Sequence, residues 1–224
     1  MNTQSPMQTV VLSLGGSLIV SDAVNGTFLR SFCDLLIAKK ETMRFFVICG
    51  GGTTARRYQE GLRQAGVDTP ADLDQIGIDA SYLNARFIQC LFGAAASDDI
   101  MTNPTVQKEI TSRVVGGAGW KPGHSTDLVA VQCAITNGIE TVINLSNIAA
   151  VYDKDPKQFS DAVAQKIISW DDFFNLVGTT WAPGMNVPFD PVAARLAKDN
   201  HCRVIVANGT NLKNLSAILE GRLF

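Results

Sequence analysis

Residues Phe45–Tyr58 read FFVICGGGTTARRY. Phe45, Phe46, Val47, Ile48 and Cys49 make an unbroken apolar run rich in β-branched and aromatic side chains, the pattern of a strand buried on both faces. Gly50, Gly51 and Gly52 follow at once, and Thr53 or Thr54 is placed to cap a helix carrying Ala55, Arg56, Arg57 and Tyr58. Glycines between a buried strand and a helix start bring bare backbone close to a ligand. The helix N-terminus adds free N–H groups and a partial positive charge, which suits a phosphate. The plain alternative is a glycine-rich connection with solvated arginines.

The same grammar extends to either side. Thr9–Leu14 (TVVLSL) is an earlier buried strand ending in Gly15, Gly16 and Ser17, and Phe28, Leu29, Phe32, Leu35 and Leu36 mark a helix over about Thr27–Lys40. Strand, helix, strand, helix in this order implies a right-handed parallel crossover. Thr69-Pro70 starts a long helix on which Leu73, Ile76, Ala80, Leu83, Phe87 and Leu91 share a face; Asp74, Asp79 and Asn84 lie off it. That face serves either the core or a subunit interface. Thr111–Val115 reads as a short strand, and Gly116 opens an irregular loop, GGAGWKPGHSTD, that ends in a capping run before a helix at about Thr126–Thr136.

Thr141–Leu145 is the next strand; Asp153, Asp155 and Pro156 then signal a turn within a small hairpin. Trp170–Val177 is a helix behind a Ser169 cap, Gly178–Pro188 is loop, and Asp190-Pro191 starts another helix. Cys202–Ala207 is a last strand, and Leu212–Leu219 closes the chain behind Asn211. In open α/β sheets ligands lie beyond the carboxyl ends of the strands, so the loops at Gly15, Gly50, Gly116–Asp127 and Ser146 are expected to converge on one crevice.

Composition narrows the class. The chain has 224 residues, 46% of them hydrophobic, enough for a single domain, and a net charge of −2 with no basic stripe argues against nucleic-acid binding. Five cysteines (Cys33, Cys49, Cys90, Cys133, Cys202) show no CxxC spacing and sit in apolar stretches, as buried thiols of a reducing compartment do. Two distant histidines preclude a multi-histidine metal cluster. No signal peptide and no membrane-length apolar run is present, so a cytoplasmic protein is expected. A Walker A loop is excluded because its nearest match, Ala118–Ser125, has Ala118 for glycine and His124 for lysine. Neither G-x-G-x-x-G nor G-x-S-x-G occurs, which weighs against hydride transfer and an α/β-hydrolase.

The ordered motifs LSLGGS (Leu12–Ser17), CGGGTTARRY (Cys49–Tyr58), DQIGIDASYLNA (Asp74–Ala85), GGAGWKPGHSTD (Gly116–Asp127), NLSNIAAVYDKDP (Asn144–Pro156) and PFDPVAARLA (Pro188–Ala197) resemble the amino acid kinase family, in its archaeal-type UMP kinase branch. The resemblance implies an α/β three-layer sandwich with a mostly parallel central sheet, the carbamate kinase-like fold. It implies one domain over 1–224, the acceptor held by about 1–140 and ATP by about 141–224. The activity implied is transfer of the γ-phosphoryl of ATP to UMP, giving UDP and ADP in pyrimidine biosynthesis, with Mg²⁺ arriving on ATP. The assembly implied is a homo-oligomer, a hexamer built from dimers.

By position, the resemblance places UMP against Gly51, Asp74 and the loop residues Trp120, Lys121, Pro122, Gly123, His124, Ser125 and Thr126. It places ATP against Gly16, Ser17, Gly52, Arg56, Ser146, Asn147, Tyr152 and Asp155. Arg56 is the expected catalytic residue, spreading charge over the transferring phosphoryl group, and no protein metal ligands are expected. Asp74 suits ribose hydroxyls and Thr126 the UMP phosphate; Arg57 is expected at the surface and His124 has no acid–base role. Asp190 is either a helix cap or a functional acid, and Trp181 with the APGMN stretch is a lid or a long loop.

Three departures stand out. Ser13 occupies a position where many relatives carry a lysine, Ala149 and Ala150 replace an aspartate and a glycine of the ATP loop, and relatives usually continue past the point matching Phe224 into a further strand. Lys121 either supplies the charge missing at Ser13 or is a solvated loop residue. The competing readings are a non-catalytic nucleotide- or oxyanion-binding protein on this scaffold and a carboxylate or carbamate kinase.

Overall fold

Five parallel strands carry the fold, in the order β3–β2–β1–β4–β7. The computed structural model describes residues 7–108, 111–154, 158–180 and 187–222. In chain order these are β1 (Gln8–Leu14), α1 (Gly16–Ile19), α2 (Gly26–Ala38), β2 (Met43–Cys49), α3 (Gly52–Gln64), α4 (Pro70–Phe92), β3 (Val114–Gly117), α5 (Thr126–Thr136), β4 (Thr141–Ser146), β5 (Val151–Tyr152), β6 (Ala164–Gln165), α6 (Trp170–Val177), α7 (Pro191–Asp199), β7 (Arg203–Asn208) and α8 (Leu212–Leu219). The expected α/β architecture with a parallel central sheet is thus present, and β5 with β6 forms the expected small antiparallel hairpin.

Strand periodicity sorts the side chains into two cores. Val10, Leu12, Leu14, Phe45, Val47 and Cys49 face α2, α4 and α8 through Phe32, Leu36, Ile88 and Leu215. Val11, Phe46, Ile48 and Val142 face α5, α6 and α7 through Val129, Phe173 and Ala194. Layers of helix, sheet and helix result. The chain runs outward from β1 to β2 and β3, then returns to the other side of β1 with β4, so the order reverses between β1 and β4. That switch point is where the crevice of an open sheet lies.

Several boundaries differ from the sequence expectation. α3 begins at Gly52 and is capped by Gly51, with no side-chain cap; Thr53 instead accepts a bond from Arg56, and its own N–H goes to Val20. β3 starts at Val114 and takes in Gly116 and Gly117, so those glycines are strand and not loop. Crowding explains this: a Cβ on Gly117 would lie 2.4 Å from Ile48 Cδ1. β4 runs on to Ser146, and β7 occupies Arg203–Asn208.

The buried face of α4 is also rotated from expectation. It comprises Leu73, Ala80, Ser81, Asn84, Ala85, Ile88, Gln89 and Phe92, while Leu83 is 61% exposed. Polar Ser81 and Asn84 lie inward because backbone groups of neighbouring loops await them there. Cys33, Cys49, Cys133 and Cys202 are buried, and burial drives each thiol pKa upward, to about 12 for Cys33 and Cys133. Cys90 departs from the expectation and is exposed on the outer side of α4. No described helix is long and apolar enough to cross a membrane.

Candidate active site

The carboxyl ends of β1 and β2 deliver two glycine turns against each other. A Cβ on Gly16 would stand 2.1 Å from Gly52 N, and one on Gly52 would stand 2.3 Å from Gly16 O. Gly52 also has φ +65°, a left-handed conformation that side chains resist. Only bare backbone fits at this contact. Gly50 packs alongside, with Thr126 Oγ1 3.5 Å from where its Cβ would stand. Gly16, Gly51, Gly52 and Thr126 are therefore brought together at the strand ends, with Ser17 in the first turn of α1.

On one wall of this cradle lies α4. Asp74 accepts a 2.7 Å hydrogen bond from Gly123 N–H, which joins the start of α4 to the loop before α5. Ser81 Oγ accepts from Gly119 N–H at 2.8 Å and donates to the Ile78 carbonyl at 2.7 Å. Asn84 donates to the carbonyls of Gly50 and Gly51. The loop itself carries Trp120, with the Lys121 ammonium 4.0 Å from its ring centre and His124 edge-on at 5.0 Å. His124 Nδ1 lies 3.3 Å from the Pro122 carbonyl. Lys121 thus sits on an aromatic face of an exposed loop.

The floor holds a polar network centred on Asp127, which the sequence reading did not single out, joining it to Ser13 and Asp190, which it did. Ser13, on the α5 face of β1, donates to Asp127 Oδ1 at 2.8 Å. Asn144, its register partner on β4, donates to the same oxygen at 3.2 Å, and Asp190 N–H reaches the other oxygen at 3.4 Å. Burial pushes the Asp127 carboxyl up to about 6; the Ser13 bond opposes that rise and the neighbouring Asp190 carboxylate adds to it. Asp190 caps α7 by accepting from Val192 N–H at 2.7 Å, and it also accepts from Ser125 Oγ. Its structural role as a cap is therefore plain. Ser125 in turn caps α5 through Leu128 N–H at 3.1 Å. The only sequence clue to Asp127 was an aspartate following two hydroxyl residues at a helix start.

Arg56 is exposed on the first turn of α3, its guanidinium donating to Thr53 Oγ1 at 2.8 Å. Arg57 points elsewhere, 4.0 Å from exposed Asp22, in keeping with a surface role. Ser146 ends β4 beside Gly15 and accepts from Ile148 N–H at 3.4 Å. Asn147 and Tyr152 follow on the turn and on β5, with no hydrogen bond to the glycine cradle among the described residues. Asp155, Trp181 and the whole APGMN stretch lie outside the described residues.

Bare N–H groups, a guanidinium and a loop tied to a carboxylate form a set of oxyanion donors beside a polyol acceptor, as phosphoryl transfer needs. Comparison with known proteins agrees. The profile of the Amino acid kinase family matches residues 8–208. The uridylate kinase of Thermoplasma volcanium is 34% identical over 220 residues, covering 96% of this chain and 94% of that protein. That of Methanothermobacter thermautotrophicus is 32% identical, covering 96% of each. The crystal structure of uridylate kinase from Archaeoglobus fulgidus superposes with a TM-score of 0.82 at 29% identity, covering 95% of this chain and 96% of that one.

Proposed function

The chain belongs to the amino acid kinase family, and from that premise we propose that it is a uridylate kinase, transferring the γ-phosphoryl of ATP to UMP. The observation that carries this reading is the cradle of Gly16, Gly51 and Gly52 facing Asp74 and the Gly123 loop. The enzyme is a phosphotransferase, and its relatives' names support UMP as acceptor.

In the mechanism, Asp74 keeps one carboxylate oxygen on Gly123 N–H and offers the other to the ribose hydroxyls of UMP. Gly51 and the loop Trp120, Lys121, Pro122, Gly123, His124, Ser125 and Thr126 enclose that nucleotide, with Thr126 donating to its phosphate from the start of α5. Gly16, Ser17, Gly52 and Arg56 are assigned to the ATP phosphates, and Ser146, Asn147 and Tyr152, with Asp155 outside the described residues, to its nucleoside and phosphates. Arg56 leaves Thr53 to spread the charge of the moving phosphoryl group. Such transfer is mostly positioning and electrostatic stabilisation.

A divalent cation, Mg²⁺ in our reading, would be carried by the ATP phosphates and would offset part of their negative charge. Such a cation is usually held by few protein groups and by several waters and phosphate oxygens. We assign the acceptor-binding part to about 1–140 and the ATP-binding part to about 141–224, in the cytoplasm and in pyrimidine nucleotide synthesis. Exposed Tyr82 and Leu83 on the outer side of α4 support a homo-oligomer, a hexamer built as a trimer of dimers.

A coupled assay of ADP release over UMP, CMP, dCMP and carbamate tests the reading. Turnover with UMP is expected; turnover with carbamate instead, or with no acceptor at all, overturns it.

A further inference from the structure

Asn84 is 4% exposed, in the middle of α4, and its side-chain amide makes an unusual pair of bonds. Nδ2 donates to the Gly50 carbonyl at 2.7 Å and to the Gly51 carbonyl at 3.2 Å, two successive peptides of the glycine run. A trans peptide is planar, with its N–H directed opposite to its C=O. Holding the Gly50 carbonyl toward α4 therefore turns Gly51 N–H away from α4, and holding the Gly51 carbonyl does the same for Gly52 N–H.

The neighbouring amides are tied back into the protein. Gly50 N–H donates to the Leu14 carbonyl at 3.0 Å and Thr53 N–H to the Val20 carbonyl at 3.2 Å. Gly51 and Gly52 N–H have no acceptor among the described residues. A buried asparagine thus aims two free donors in succession, in a segment whose three glycines leave the peptides free to rotate. Only a primary amide of this length reaches both carbonyls. The Gly51 carbonyl also accepts from Ala55 N–H at 3.3 Å, but the Gly50 carbonyl has Asn84 as its donor; aspartate has no proton for either, and alanine leaves Gly50 unheld. One turn back on the same face, Ser81 fixes the opposing loop at Gly119. α4 so holds both loops at a set separation.

We propose that Asn84 is a positioning residue for phosphoryl transfer, orienting Gly51 N–H toward the acceptor phosphate and Gly52 N–H toward the donor phosphate. This rests on the kinase reading and adds to it the element that aligns the two phosphates. Misaligned peptides still bind nucleotide through the remaining contacts but no longer hold the reacting groups in line.

The experiment compares Asn84→Ala, Asn84→Asp and Asn84→Ser with Ile88→Ala, for Tm, kcat, each KM and UDP formed per ATP consumed. Ile88 is fully buried one turn further along α4 in the apolar core, so its truncation reports loss of stability alone. Asn84→Ala and Asn84→Asp are expected to lower kcat about 10- to 100-fold with KM changed less than about threefold. Asn84→Ser, retaining one donor, is expected to fall between them and wild type, and ATP consumed without UDP is expected to rise. Ile88→Ala is expected to lower Tm while kcat stays within about threefold. Wild-type kcat in Asn84→Ala or in Asn84→Ser, or an equal kcat loss in Ile88→Ala at matched Tm, overturns the proposal. A wild-type enzyme without UMP kinase activity sinks the kinase reading instead, so the two failures are distinguishable.

Discussion

The two walls of the crevice are built on different principles. The α4 wall is tied to its loops by buried or short bonds, Asp74 to Gly123, Ser81 to Gly119 and Asn84 to Gly50 and Gly51. The wall after β4 rests on two-residue strands, held by Asp153 N–H to the Val163 carbonyl at 3.1 Å and Val163 N–H to Asp153 Oδ1 at 2.8 Å, with Val163 and Ile167 largely exposed. Few buried contacts mean low local stability. The comparison teaches that the first wall is fixed by bonds and the second loosely held; on the proposed reading, the fixed wall discriminates the acceptor and the loose one adapts to ATP. Between them lies the floor, where Asp127 is held by residues of both sides.

The largest expected effect tests that floor. Asp127 keeps its proton up to about pH 6 in the folded chain, against an ordinary value of 3.8, so between these values the folded state binds the proton that the unfolded state has released. Its contribution to stability is then greatest below about pH 4, falls as pH rises toward 6 and is level above, a change of about 3 kcal/mol. Surface carboxylates of lowered pKa, Glu220 beside Lys39 and Asp171 beside Lys198, act in the opposite sense, so the difference between proteins is what matters. Urea midpoints for wild type and Asp127→Asn over pH 4–8 are expected to diverge across that window. Parallel curves would show Asp127 to be an ordinary carboxylate and the floor to be no special junction.

Arg56 tests the donor side next. Arg56→Ala is expected to lower kcat by about 100-fold, as loss of a transition-state donor does, with Arg57→Ala within about threefold of wild type. Steady-state kinetics of both variants give the answer. Equal losses would mean that the first turn of α3 presents a general positive field, with no single residue aimed at the transfer.

Asp74 sharpens the contrast most directly. Asp74→Ala loses a charged hydrogen-bond acceptor worth about 1.5–2.5 kcal/mol, so UMP affinity is expected to fall roughly 10- to 70-fold while ATP affinity stays within about twofold. Calorimetric titration of each nucleotide decides it. A matched loss for ATP would mean that the Asp74–Gly123 bond supports the whole crevice and not the acceptor wall alone.

Much of the fold was legible because its signals act over short range. Ser169 and Asn211 cap α6 and α8, which end where the apolar periodicity ends, and Ser125 at the capping run does the same for α5. A cap and an amphipathic stripe involve residues within a few positions of one another, so local sequence contains the whole interaction. The glycine turns were legible as local strand-to-helix junctions, whereas Asp74 and Gly123, 49 positions apart, were named through the family resemblance. Only the tertiary structure decided the rest. Asn84 points inward because Gly50 and Gly51 lie 34 and 33 positions away in sequence but beside it in space. Asp127 is buried because Ser13, 114 positions earlier, and Asn144 donate to one of its oxygens and Asp190 N–H reaches the other. A buried polar side chain is tolerated only where a distant partner satisfies it, and no local pattern records which partner the fold will bring.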